Sequence, residues 1–91
     1  MTQSTYLEVT FRYGKPLAAY FYLPRKEGDY SYSVKKHGPG LIVDLTEDGR
    51  PIGIEMAIPD TVTVEAVNEI LHFYGLNPIE SQDLAPLKKA A

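Results

Sequence analysis

The feature that most constrains the fold of this chain is a pair of apolar segments, Leu41 to Glu47 and Arg50 to Ile58, which flank the dipeptide Asp48-Gly49. Asp-Gly is favoured in two-residue type I′ turns, because both central residues of that turn need positive φ. Turn chemistry and apolar pattern therefore predict one antiparallel hairpin with a single apolar face. Gly53 lies inside its second strand, where a glycine marks a bulge or a close approach of other atoms. The expected pairs are Leu45 with Ile52, Val43 with Ile54, Leu41 with Met56 and Glu47 with Arg50.

Three further strands are predicted before this hairpin. Tyr6 to Tyr13 and Leu17 to Leu23 alternate apolar and polar residues with the period of a half-buried strand. We expect Gly14-Lys15-Pro16 to be a three-residue loop, because a two-residue loop would place the two apolar faces on opposite sides. A third strand is expected from Tyr30 to Lys36, after a segment rich in turn-forming residues, and its register is left open.

After Pro59 the apolar period changes to that of a helix. Residues 63 to 74 carry an apolar stripe, with Thr63 as the expected N-cap and Gly75 as the residue that ends the helix. The sequence therefore predicts a single α+β domain, an antiparallel β-meander of about five strands followed by one helix packed on the sheet and a short C-terminal tail. The expected parts are a leader at 1–5, the sheet at 6–58, the helix at 63–74 and the tail at 76–91.

Size and charge limit the classes of function. A chain of 91 residues has room for one core. A net charge of −3 and an isoelectric point near 5.2 make nucleic acid an unlikely partner. The chain has no cysteine, no basic N-terminus followed by an apolar run, and no run near the roughly 18 apolar residues of a membrane span. We therefore expect a cytoplasmic protein with no membrane association.

The hairpin segment GLIVDLTEDGRPIGIEM, from Gly40 to Met56, resembles the hallmark hairpin of a bacterial family known only as domain of unknown function 2283. The segment AAYFYL, from Ala18 to Leu23, resembles the strand that precedes it in that family. The resemblance covers about residues 6 to 58 and implies a small sheet-rich fold with no established activity. Some members of the family look like antitoxin-type partners of small toxins, which implies a protein partner for this chain.

Catalytic chemistry has little support in the sequence. Asp44 and Glu55 fall on the polar face of the predicted hairpin and Asp48 in its turn, and we interpret the two strand carboxylates as part of a solvated face. No serine lies in a nucleophile motif, and no glycine-rich loop has the pattern that holds phosphates. We expect no enzyme activity, no cofactor and no metal site.

Two kinds of binding surface remain. Seven tyrosines are present, and Tyr20, Tyr22, Tyr30 and Tyr32 form a candidate protein interface on exposed sheet positions, although ordinary cross-strand packing explains them equally well. Alternatively, pairing of the second strand with the third would gather basic side chains into a small anion-binding or nucleic-acid-binding patch. The members of that candidate patch are Lys15, Lys35, Lys36 and His37.

Dimensions favour self-association. Five strands make a sheet roughly 24 Å wide, whereas one helix with its side chains is about 10 Å across. The helix would leave much of the apolar face uncovered, so we predict a homodimer formed through the sheet. Strong curling of the sheet and docking of Leu84 and Leu87 from the tail are the alternative ways to cover that face. The leading hypothesis is thus a self-associating interaction module, and the second is the anion-binding domain.

Overall fold

The computed structural model describes residues 5 to 87. Most of the predicted leader and the last four residues of the predicted tail lie outside this range. In chain order the described elements are β1 (Tyr6–Arg12), β2 (Lys15–Tyr22), β3 (Ser33–Lys36), β4 (Leu41–Leu45), β5 (Pro51–Met56), a 3₁₀ helix (Pro59–Thr61), α1 (Val64–Phe73) and a second 3₁₀ helix (Ser81–Leu87). No helix within residues 5 to 87 is long and apolar enough to cross a membrane.

All five strands form one antiparallel sheet, which confirms the predicted α+β class. The strand order is β1-β2-β5-β4-β3, so the predicted meander order is wrong. The hairpin of β4 and β5 inserts beside β2, and β3 lies at the far edge. Burial explains the order: β5 carries Ile52, Ile54 and Met56, which are all buried, whereas every residue of β3 is exposed. A strand with little to bury is suited to an edge.

The β1–β2 connection is a two-residue turn, not the predicted three-residue loop. Tyr13 and Gly14 both have positive φ, 54° and 76°, as a type I′ turn requires, and Arg12 pairs with Lys15. The prediction failed because it assumed regular pairing. An extra residue, Leu17, is inserted in β2 where the register shifts, and this bulge returns the apolar side chains of both strands to one face. The resulting pairs include Val9 with Ala19 and Leu7 with Phe21.

In the β4–β5 hairpin the register is confirmed at Val43–Ile54 and Leu41–Met56. The predicted two-residue turn is wrong, because Arg50 bonds to Thr46 and not to Glu47, which leaves a loop of three residues. The Thr46 amide donates to the Arg50 carbonyl at 2.9 Å, and the Arg50 amide donates to Thr46 Oγ1 at 3.0 Å. Only Gly49 in the three-residue loop has positive φ, 89°. A bulge at Ile52 absorbs the shift, so that Leu45 pairs with Pro51.

The helix α1 confirms the predicted caps. Thr63 has extended backbone angles, and its Oγ1 accepts a hydrogen bond from the Ala66 amide at 3.1 Å. At the other end Gly75 has a φ of 73°, and the Leu76 amide donates to the Leu71 carbonyl at 2.8 Å.

The described part of the tail, residues 76 to 87, docks on the core. The side chain of Asn68 in α1 accepts from the Ile79 amide at 2.8 Å and donates to its carbonyl at 3.0 Å. These two hydrogen bonds fix the backbone of Ile79 against α1, and the second 3₁₀ helix that follows lies on the sheet. There Leu84 and Leu87 are 3% and 0% exposed. Helix and tail thus pack together on one face of the sheet. The uncovered face that motivated the predicted homodimer is therefore largely closed by the chain itself, so a homodimer would require a different surface.

Candidate functional site

The other face of the sheet carries no helix within residues 5 to 87. Its side chains come from alternate positions of the strands, because successive residues of a strand point to opposite faces. We call this surface the tyrosine face. It is built from Tyr6, Glu8, Thr10, Tyr20, Tyr22, Asp44, Gly53 and Glu55, with Arg25 and Ser31 contributed by the connection to β3.

A polar network lies at the centre of the tyrosine face. The Tyr20 hydroxyl donates to Asp44 Oδ2 at 2.6 Å, and Ser31 Oγ donates to Asp44 Oδ1 at 3.2 Å. Arg25 Nη2 donates to the Tyr20 hydroxyl at 3.2 Å, while its Nε donates to the Ile52 carbonyl, also at 3.2 Å. Burial, together with the hydrogen bond to Asp44, raises the pKa of Tyr20 well above its usual range. The phenol therefore stays protonated and donates to the carboxylate.

Gly53 makes this network possible. The ring of Tyr20 lies across the glycine, and a Cβ at this position would overlap the Tyr20 hydroxyl and the neighbouring ring atoms. The predicted structural role of Gly53 thus corresponds to a close approach, beside the bulge at Ile52. Because the ring passes over Gly53, its hydroxyl can reach Asp44 on the adjacent strand.

Tyr22 extends the network toward the β1 edge. Its ring lies 4.6 Å from the ring of Tyr20 and 5.8 Å from that of Tyr6, measured between centroids. The guanidinium of Arg25 lies 5.2 Å from the centre of the Tyr22 ring, within range of a cation–π contact. The Tyr22 hydroxyl donates to Glu8 Oε1 at 3.2 Å, and this bond raises the pKa of Tyr22.

The structure divides the four predicted interface tyrosines into two pairs. Tyr20 and Tyr22 belong to the network, whereas Tyr30 and Tyr32 precede β3 and are 59% and 58% exposed. Tyr30 lines a surface pocket of about 480 Å³ at the closed end of the β4–β5 hairpin. The prediction that Tyr30 and Tyr32 lie in a strand is wrong, because β3 begins only at Ser33.

The predicted cationic patch is not assembled. Lys15 lies on β2 beside Arg12, and two strands separate β2 from β3. Lys35 and Lys36 are adjacent on β3 and therefore point to opposite faces. Lys35 Nζ lies 5.4 Å from the centre of the Phe73 ring on the helix side. The prediction that β2 pairs with β3 is therefore wrong, and it was the pairing that joined Lys15 to the other three residues.

His37 packs on the helix side with Lys35. Its Nε2 lies 2.8 Å from the Tyr74 hydroxyl, and its ring packs edge-on against Phe73. Burial, and the charge of Lys35, lower the pKa of His37. The histidine is therefore neutral near pH 7 and adds no charge to an anion site there.

The interpretation of Asp44 as solvated is wrong. Asp44 is 8% exposed, because Tyr20 and Ser31 cover it, whereas Glu55 on the same face is exposed. Asp48 lies in the loop as predicted but lacks the positive φ that the predicted two-residue turn required. Its carboxylate instead accepts from Thr46 Oγ1 and from Arg50 Nε. Thr46 and Arg50 are the main reason that the pKa of Asp48 is lowered.

An ion pair joins the β2–β3 connection to the β4–β5 hairpin beside the pocket. Arg50 binds both oxygens of Asp29, at 2.7 Å and 3.0 Å, and the Lys26 amide donates to Asp29 Oδ2 at 2.8 Å. These bonds hold the pKa of Asp29 at about 2. The ion pair thus holds the connection between β2 and β3 against the β4–β5 hairpin.

We expect Arg50→Gln to raise the pKa of Asp29 from about 2 toward its ordinary value of 3.8, because the substitution removes the first cause of the shift. A depressed carboxyl pKa contributes stability above the ordinary value, and this contribution is lost as the pH falls toward 2. Titration of the Asp29 carboxyl carbon by NMR measures the change. Lys15→Gln, which removes a distant positive charge, is the control; an unchanged Asp29 titration in Arg50→Gln would contradict the assignment.

Sequence reasoning missed Arg25, Ser31 and the burial of Asp44. Arg25 and Ser31 lie in the irregular connection between β2 and β3, where no periodicity indicates a direction. A signal did exist in the neighbouring strands: Gly53 in an otherwise bulky strand left space for a large side chain.

Among residues 5 to 87, no cluster of three or more histidine, cysteine, aspartate or glutamate residues could hold a metal ion. No family model matches the chain, and neither the curated proteins nor the solved structures contain a match. The resemblance to domain of unknown function 2283 therefore stays a prediction.

Proposed function

We propose that this chain is a non-enzymatic interaction module that self-associates and binds a protein partner, in the manner of the antitoxin-type proteins implied by its family resemblance. The observation that carries the proposal is the tyrosine face. It presents Tyr6, Tyr20, Tyr22 and Arg25 as one continuous cluster on the side of the sheet opposite α1.

The composition of this cluster supports protein binding. Tyrosine and arginine are enriched at the centres of protein interfaces, where they contribute large contact areas together with hydrogen-bonding groups. Tyr6 is 62% exposed and has room to lose accessible surface to a partner.

The rigidity of the cluster also supports binding. Tyr20 is held by Asp44 and Arg25, and Tyr22 by Glu8 and by ring contacts on two sides. Side chains that are already fixed lose less conformational entropy when a partner binds, so more of the contact energy contributes to affinity.

The hydrogen bonding within the network favours a structural role over a catalytic one. Both oxygens of Asp44 accept hydrogen bonds from the protein's own hydroxyl groups. The raised pKa of Tyr20 keeps its phenol protonated at neutral pH, so no phenolate is present there to act as a general base. The network is thus suited to positioning aromatic rings.

Partner capture tests the proposal. We expect the wild-type chain, immobilised and exposed to a lysate of its native cell, to retain a specific protein that the double variant Tyr6→Ser/Tyr22→Ser does not retain. Phe73→Ser, which removes an exposed aromatic ring from α1, is the control and should retain it. Equal capture by all three proteins, or capture of none, would contradict a partner site on the tyrosine face.

The same immobilised chain distinguishes the nucleic-acid alternative from the protein-binding proposal. Binding to mixed oligonucleotides that weakens steeply with salt, together with loss of binding in Lys36→Gln, would favour the anion-binding domain.

A further inference from the structure

The strand β1 is an open edge of the sheet. It is seven residues long, it stands first in the strand order, and β2 is its only neighbouring strand among residues 5 to 87. Every second residue of an edge strand directs its backbone N–H and C=O groups away from the sheet, where another strand can pair with them.

The opposite edge is poorly suited to such pairing. The strand β3 has four residues, and two of them are Lys35 and Lys36. Antiparallel pairing of two copies of this edge would bring the lysines of both copies close together, and inserted lysines are a common protection of edge strands.

The sequence of β1 is complementary to itself. Glu8 and Arg12 lie two positions on either side of Thr10. In an antiparallel pair centred on Thr10, each Glu8 stands directly opposite Arg12 of the second copy, and the two threonines face each other. A centre at Glu8 would oppose the two glutamates, and a centre at Val9 would place Glu8 opposite threonine.

The same centre also matches the other face. Val9 of each copy stands opposite Phe11 of the second copy, on the side where helix and tail pack. Phe11 is 53% exposed, and Val9 is half-buried. Pairing would therefore cover apolar surface on one side while forming two ion pairs on the other.

We propose that two copies of this chain join their β1 edges in an antiparallel pair centred on Thr10, which continues the sheet from one copy into the other. This inference rests on the self-association proposed above and names its surface and register. The tyrosine faces of the two copies then form one surface, since Glu8, beside Tyr22, meets Arg12 of the second copy.

A single cysteine tests the register. The chain contains no cysteine, so Thr10→Cys introduces one thiol per copy, and the two thiols face each other across the axis. We expect mild oxidation to convert Thr10→Cys to a disulfide-linked dimer. Val34→Cys on the exposed β3 edge is the control and should stay largely monomeric. Equal cross-linking of both variants, or none at Thr10, would overturn the register.

Charge variants test the ion pairs by sedimentation equilibrium at micromolar concentration. We expect the wild type to approach twice its 10.2 kDa mass and Glu8→Arg and Arg12→Glu to be monomers when separate. Mixed in equal amounts, the two variants should form a heterodimer, since every opposed pair is then of opposite charge. The double variant Glu8→Arg/Arg12→Glu should dimerise alone.

The outcomes separate the register from self-association. A wild type that stays near 10.2 kDa at every concentration overturns both. A wild-type dimer whose mass is unchanged in both single-charge variants overturns the β1 register and leaves self-association through another surface. Dimerisation restored on mixing supports the register, because a loss of folding in either variant would not be reversed in this way.

Discussion

Gly53→Ala is expected to lower the free energy of unfolding by about 2 to 4 kcal/mol, a sum of crowding within a packed site and loss of a hydrogen bond to a charged group. The new methyl group would occupy the space of the Tyr20 ring. The ring must swing away, which breaks its bond to Asp44 and exposes that carboxylate on one side.

Chemical denaturation of the single and double variants measures this effect. In a Tyr20→Ala background the space over Gly53 is empty, so the added methyl group should cost much less, and the two substitutions should be strongly non-additive. Glu55→Ala, an exposed position of β5 on the same face, is the control for a change in the strand itself. If the effects of Gly53→Ala and Tyr20→Ala were fully additive, the destabilisation by Gly53→Ala would come from the strand backbone and not from the Tyr20 ring.

Leu87→Ala is expected to lower the free energy of unfolding by about 2 to 5 kcal/mol, the usual range for removing a fully buried leucine side chain. Leu87 is 0% exposed, and it packs in the same core as the sheet and α1. The substitution leaves a cavity beneath the second 3₁₀ helix, within which Leu84 is the other buried residue.

Denaturant unfolding again provides the measurement, and Ala85→Ser on the exposed side of the same 3₁₀ helix is the control. A change below roughly 0.5 kcal/mol, typical of surface substitutions, would contradict docking of the tail. In that case the apolar face of the sheet would be open and could form a dimer interface.

Local patterns in the sequence predicted the elements well. The α1 caps and the central register of the β4–β5 hairpin follow from residue types that act within a few positions of one another. Both turns differed from their prediction because each hairpin contains a bulge, at Leu17 and at Ile52. A bulge inserts one extra residue into a strand, so the residues beyond it exchange the faces to which their side chains point. Apolar alternation alone therefore does not determine the loop length.

Local sequence patterns could not predict the order of the strands in the sheet. The neighbour of β2 is selected by how much apolar surface each strand can bury, and β3 offers little because all four of its residues are exposed. The error in strand order also produced the predicted cationic patch, since Lys15 approached the other members only through a β2–β3 hairpin.

The candidate site was predictable in part. The outward direction of Tyr20 and Tyr22 follows from strand alternation, but Arg25 and Ser31 reach Asp44 from a connection whose path depends on the whole sheet. Buried polar groups of this kind are recognised only when the segments that satisfy them are placed together.

The position of β5 between β2 and β4 imposes an order on folding during synthesis. The β1–β2 hairpin can form early, but the inner edge of β2 has no partner until β5 has been made, roughly thirty residues later. Contacts between residues distant in sequence slow folding, because a long segment must be ordered before the pairing stabilises it. A nascent chain therefore exposes both edges of the first hairpin while β3 and β4 are added, and the arrival of β5 closes the inner one.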